Sequence, residues 1–166
     1  SQMFARRGTY GWNQDWAGDM YHVLMYAQLQ PRVLYEESLL LGGLKAAKVL
    51  VMADCDVLTE GVVREIQQFQ RNGGLIVGDN EICPAIKADF VLSRFSRTKQ
   101  ADKDRAALQD AAKKLRTWLD PKYSRVVDSS NPNVVTRHRT FGTTDYVFAV
   151  NDHREFGTYV GGYGLT

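Results

Sequence analysis

The sequence predicts an α/β domain: three layers around a mostly parallel sheet of about five strands, with a C-terminal antiparallel hairpin at one edge. Residues 48–81 (KVLVMADCDVLTEGVVREIQQFQRNGGLIVGDNE) carry the prediction. Two short apolar runs, 49–53 and 75–77, flank a helical pattern, as in two buried parallel strands joined by a crossover helix. Amphipathic stripes at 16–27 and 108–119 supply the flanking helices. Residues 134–140 and 146–150 alternate or run apolar around Phe141-Gly142-Thr143-Thr144-Asp145, which reads as a hairpin.

Taken in order, Met3, Phe4 and Ala5 are compatible with a short first strand. RRGTYGWNQDW follows, rich in Gly and aromatic residues and without periodicity, and reads as a loop. Trp16, Met20, Val23, Leu24 and Ala27 then recur at helical spacing, and the helix stops before Pro31 because proline disfavours helical backbone in the residue ahead of it. Residues 32–36 (RVLYE) form a second strand candidate, and 37–44 a short helix or turn ending near Gly42-Gly43. In the central unit Thr59 is placed to cap the crossover helix, with Glu60 in its first turn. Val62, Val63, Ile66 and Phe69 form its buried stripe, and Gly73 its C-terminal glycine. Residues 88–92 (ADFVL) read as a short strand and SRTKQADKD as a polar loop. The helix marked by Leu108, Ala111, Ala112, Leu115, Trp118 and Leu119 stops at Asp120-Pro121. Residues 123–127 form another strand candidate, and DSSNPN a turn cluster. The domain is read over 1–151, and the Gly- and Tyr-rich tail 152–166 as the start of a following β segment. The chain begins at Ser1, which reads as a piece of something longer.

Composition narrows the function classes. With 21 Lys and Arg against 19 Asp and Glu, the net charge of +2 is too small to argue for nucleic acid. No apolar stretch approaches the roughly 18 residues of a membrane helix. Two cysteines in 166 residues do not form a disulfide framework. Cys55 and Cys83 lie in loops after adjacent strands and read as small, partly buried thiols. No His or further Cys accompanies them at metal-ligand spacing, and neither metal nor cofactor is expected.

Candidate chemistry gathers at the carboxyl ends of the two central strands, where open α/β sheets bind ligands. Asp54, Asp56, Asp79, Asn80 and Glu81 fall there. The carboxylates would bind a divalent cation or act as an acid/base pair. Alternatively, Asp56 or Thr59 caps the next helix and the others are solvated loop carboxylates. Cys83 with His153 or His138 is a weak nucleophile–base candidate, since neighbouring acids disfavour a thiolate. In the loop at 8–16, glycines would cradle a phosphate or flavin, and Tyr10 and Trp12 would stack on a sugar or meet a neighbouring domain. Trp16 reads as an anchor of its helix to the sheet, and Arg137 and Arg139 as a polar strand face.

The motifs Asp56-Val57-Leu58-Thr59, Gly73-Gly74-Leu75-Ile76-Val77 and Tyr146-Val147-Phe148-Ala149-Val150-Asn151 follow one another in a recognisable order. Over roughly 16–151 the chain resembles the glutamine-amidotransferase-like, flavodoxin-like domain attached to bacterial β-galactosidases and related glycoside hydrolases, often called the trimerisation domain. In the wider amidotransferase family the nucleophile sits on a sharp turn after the Gly-Gly strand, as G-x-C-x-G. The matching residues here are Gly78, Asp79, Asn80, Glu81 and Ile82. Asn80 occupies the nucleophile position, and an amide cannot replace a thiolate. The H-x-E pair has its nearest match in His153-Arg154-Glu155, which follows the hairpin instead of a core strand. The resemblance therefore implies a lost active site and a non-catalytic accessory domain of a larger carbohydrate-active or hydrolase-like protein. Its expected partners are neighbouring domains of that parent and other copies of itself, through the 8–16 loop and the tail. The alternatives are a small-molecule hydrolase or amidotransferase-like enzyme using Cys83, or a flavin or sugar-phosphate module using the 8–16 loop.

Overall fold

The computed structural model describes residues 14–94, 96–98 and 100–151. The strand candidate at 3–5, Tyr10 and Trp12, His153 and the tail 152–166 lie outside the described residues. The chain divides into two compact units, one of Ser1–Met20 with Arg32–Arg94, the other of Tyr21–Pro31 with Phe95–Thr166. Helix α1 (Gln14–Tyr26) contributes residues to both. Among the described residues no helix is long and apolar enough to cross a membrane.

The first unit holds the expected βαβ arrangement. Strand β1 (Val49–Met52) runs parallel to β2 (Leu75–Gly78), in register from Val49 opposite Leu75 to Met52 opposite Gly78. Strand β3 (Phe90–Val91) adds to the other side of β2, also parallel, so the order is β1-β2-β3. A short helix α2 (Glu36–Ser38) and a wider turn (Leu39–Gly43) precede β1.

The crossover helix α3 (Glu60–Arg71) buries Val62, Ile66 and Phe69, one stripe at i, i+4 and i+7. These pack with Leu39, Leu44, Met52, Ile76 and Ile86 into one core, and each fully buried aliphatic side chain contributes about 1.5–3 kcal/mol. Val63 lies only half-buried at the margin. Thr59 occupies the N-cap position in extended backbone, but its side chain makes no capping hydrogen bond. Glu60 instead pairs with Arg64 one turn on, 2.5 Å away at the surface. The helix ends as expected: Gly73 takes φ of 89°, a conformation that a Cβ would strain.

In the second unit α4 (Ala101–Leu119) buries Leu108, Ala112, Leu115 and Leu119 on one stripe. The sequence reads 96–104 as polar loop, yet the helix already begins at Ala101. Asp102 and Asp104 then lie in its first turn, where the helix dipole favours carboxylates. Asp104 is buried and accepts from the backbone N–H and the hydroxyl of Thr98, both at 2.8 Å, which fixes the entry to the helix.

Strands β4 (Val134–Phe141) and β5 (Thr144–Asn151) form the hairpin, paired from Val134 opposite Asn151 to Phe141 opposite Thr144. Gly142 enters the two-residue turn at φ of 60° and Thr143 does not share the positive φ, the type II′ pattern that suits strand twist. Along one edge Gln28 binds β4 with both ends of its amide. Its Nε2 donates to the Val134 carbonyl at 2.8 Å and its Oε1 accepts from Thr136 Oγ1 at 3.0 Å.

Three expectations are corrected. Residues 32–36 form no strand: Val33 and Tyr35 stay about two-thirds exposed, at 68% and 69%, and Glu36 already opens α2. A strand of a parallel sheet needs both faces covered, which these residues lack. Residues 123–127 form no strand either. Arg125 turns away to the Ala27 carbonyl at 2.9 Å and to Asp120 at 2.5 Å, leaving Val126 exposed. The parallel sheet therefore has three strands among the described residues, and the hairpin is a separate two-stranded sheet.

A candidate functional site at the strand ends

The three parallel strands of the first unit end on the same side, and each delivers a charged side chain just past its last residue. Asp54 follows β1, Asp79 follows β2 and Arg94 follows β3. Both carboxylates are buried, each 2% exposed. The expectation that the uncapping acids are solvated loop carboxylates therefore fails for Asp54 and Asp79: burial without partners would cost each several kcal/mol, so both are tied down.

Asp79 is the hub. Its Oδ2 accepts the indole N–H of Trp16 at 2.5 Å and the backbone N–H of Asp54 at 2.8 Å, and its Oδ1 accepts the backbone N–H of Glu81 at 2.8 Å. Arg94 Nε lies 3.9 Å from the same Oδ2, while its Nη2 pairs with Asp54 Oδ1. Asp54 holds φ of 57°, a left-handed conformation that Asp tolerates better than most residues. That backbone kink at the end of β1 aims its N–H at Asp79. Trp16, itself 3% exposed, thus anchors α1 to the end of β2 as its position in the sequence implied.

Asn80 and Glu81 sit exposed on the turn beyond Asp79, and Asp56 lies half-buried beyond Asp54. The five predicted strand-end residues are thus gathered at one side of the sheet, with the Asp54 and Glu81 backbone N–H groups both bound to the Asp79 carboxylate. Arg94 was not singled out in the sequence. Its signal was faint: an arginine two residues beyond ADFVL, legible only once that run is known to be the third parallel strand.

The cysteines come together through backbone. The Cys83 N–H donates to the Cys55 carbonyl at 2.7 Å, both thiols are free, and both side chains pack against the core at partial burial. Desolvation, and then the negative charge of Asp79, push the Cys55 thiol up to about 11 from 9.0. Its Sγ rests 3.3 Å from the Ala53 carbonyl. The thiolate fraction near neutral pH is then on the order of 100-fold below that of an ordinary cysteine. Alkylation of the native chain by iodoacetamide at neutral pH is expected to leave Cys55 unmodified while denatured chain reacts fully; mass spectrometry of tryptic peptides checks this, and rapid native labelling of Cys55 would contradict it. Because the folded pKa is raised, the stability held by the neutral thiol is complete below pH 9.0 and is lost as pH climbs towards 11.

His138 is tied within the hairpin. Its Nε2 lies 2.9 Å from Asp145 Oδ1 within the hairpin, and Thr140 donates to the same oxygen at 2.7 Å. Those contacts hold the Asp145 carboxyl below the usual range. Among the described residues no three His, Cys, Asp or Glu side chains converge as metal ligands. At the strand ends the indole N–H of Trp16 and the backbone N–H groups of Asp54 and Glu81 are all directed at Asp79. No family model, curated protein or solved structure matches this chain.

Proposed function

We propose that this chain is a non-catalytic accessory and interaction domain of a larger carbohydrate-active or hydrolase-like bacterial protein, three-layered and flavodoxin-like in organisation. Its resemblance to the glutamine-amidotransferase-like trimerisation domains motivates the reading. The observation that carries it is the turn after β2. Asn80 stands where a nucleophile would, and its carboxamide cannot attack a carbonyl. The N–H that follows it, on Glu81, would be the natural oxyanion donor of such a turn, but it is turned inward to Asp79 Oδ1 at 2.8 Å. With its nucleophile replaced and that donor committed to the fold, the turn holds the strand end together. The partners are neighbouring domains of the parent and further copies of the chain, for which the exposed apolar residues of the hairpin provide surface.

The test is direct. Ammonia release from glutamine and hydrolysis of aryl glycosides by the purified chain are expected to stay at buffer background, before and after Cys83→Ser, and the protein to purify colourless. Turnover abolished by Cys83→Ser would replace this reading with an enzyme. A visible flavin absorbance band would replace it with a binding module.

A further inference from the structure

We propose that β5 is a self-recognition edge, and that two copies of this chain pair β5 against β5, antiparallel, into one four-stranded sheet. The proposal rests on the reading as an interaction domain and names the partner as a second copy.

The two edges of the hairpin differ. On β4 the Val134 carbonyl accepts from Gln28 Nε2 at 2.8 Å and the His138 N–H donates to Gln30 Oε1 at 3.1 Å, so that edge is already partnered. Those two bonds also fix the phase of the ladder. The backbones of 134 and 138 face outward, so their opposite residues, Asn151 and Val147, also present N–H and C=O outward, as does Ala149 between them. All eight residues of β5 are exposed. The strand carries no Lys, Pro or bulge and only one charge, Asp145 beside the turn. Natural edge strands of this length are blunted by such devices, and this one lacks them.

The sequence of β5 is complementary to itself in one register. A two-fold axis at Phe148 sets Val147 opposite Ala149 of the second copy, Asp145 opposite Asn151, and Phe148 beside Phe148, with no like charges facing. The two aromatic rings then share one sheet face, where such cross-strand pairs are favourable. Charge also selects edge pairing over stacking of faces. Arg137 and Arg139 lie on the same face as Phe148 and Tyr146, their cross-strand partners, and that face holds no carboxylate. Stacking two such faces would press four guanidinium groups together. Edge pairing leaves the arginines of the two copies on the outer strands, about 14 Å apart by strand spacing and beyond a Debye length of about 8 Å at physiological salt.

The full 166-residue chain is expected to be a dimer by light scattering at high micromolar concentration, with slow amide exchange at Val147 and Ala149. The double variant Val147→Lys with Ala149→Lys puts like charges opposite each other across the axis and is expected to raise the dimer Kd at least about tenfold. The variant Val147→Glu with Ala149→Glu is expected to do the same, and an equimolar mixture of the two to restore dimers. That recovery separates lost pairing from misfolding. A strictly monomeric wild type overturns the proposal, as does a dimer indifferent to both variants or a mixture that stays monomeric. A monomer with slow exchange at 147 and 149 also overturns it, because another segment of the chain then covers the edge. Each of these leaves the accessory reading standing. Turnover dependent on Cys83 would remove that reading and leave the dimer result intact.

Discussion

Replacing Asp79 with Ala is expected to lower the stability of the chain by about 3–5 kcal/mol, the range for removing one partner of a buried charge pair. The substitution strips the acceptor from the Trp16 indole N–H and from the Asp54 N–H, and leaves Arg94 with a single carboxylate. Each buried donor left without an acceptor costs about 1–3 kcal/mol, and because the losses share one hub they do not simply add. Asp79→Asn keeps the shape and one acceptor oxygen and discards the charge, so it is expected to cost less, about 1.5–3 kcal/mol. Urea unfolding followed by far-ultraviolet circular dichroism measures both. A loss under about 1 kcal/mol for the alanine variant would show that the strand ends are held by the core alone.

The second large effect is expected at Ile76, the fully buried centre of β2. Its side chain is 0% exposed and packs in the core with Val62, Ile66 and Phe69 of α3. Ile76→Ala is expected to cost about 2–5 kcal/mol and Ile76→Val about 0.5–1.5, because the alanine leaves a cavity where the valine leaves only a missing methyl. The backbone there is independently fixed: its N–H donates to Asp89 Oδ2 at 2.8 Å, and Asp89 in turn accepts from Gln70 at 3.1 Å. The surroundings therefore collapse poorly around a void. Denaturant midpoints for the pair test the ratio, and an alanine variant no worse than the valine one would mean that β2 is not the centre of this core.

The central unit was legible because its signals are local. Apolar runs of strand length, a stripe at helical period and a glycine just past the helix end each follow from a few adjacent residues, and the elements at 49–52, 60–71 and 75–78 fell into place accordingly. The hairpin was legible for the same reason, with alternation on both arms and Gly142 at the turn. Residues 32–36 and 123–127 misled because β-propensity reports a side chain's fit to a pleated, half-buried surface. That surface exists only if a neighbouring strand supplies it, and here the neighbours are solvent for Val33 and Tyr35 and polar contacts for Arg125. The start of α4 was hidden because Asp102 and Asp104 read as loop residues until Thr98 is seen holding Asp104.

By itself the sequence determined the parallel strand–helix–strand core and the side of the sheet on which its acidic residues gather. Only the tertiary structure decided what those acids do. Asp54 and Asp79 are 25 residues apart in the chain, and Trp16 and Asp79 are 63 apart. No local pattern states that an indole, a left-handed backbone N–H and an arginine beyond the third strand will meet one carboxylate. Burial made the difference: in water these carboxylates would be ordinary loop acids, and away from water each must find donors, so the fold that buries them also fixes their partners.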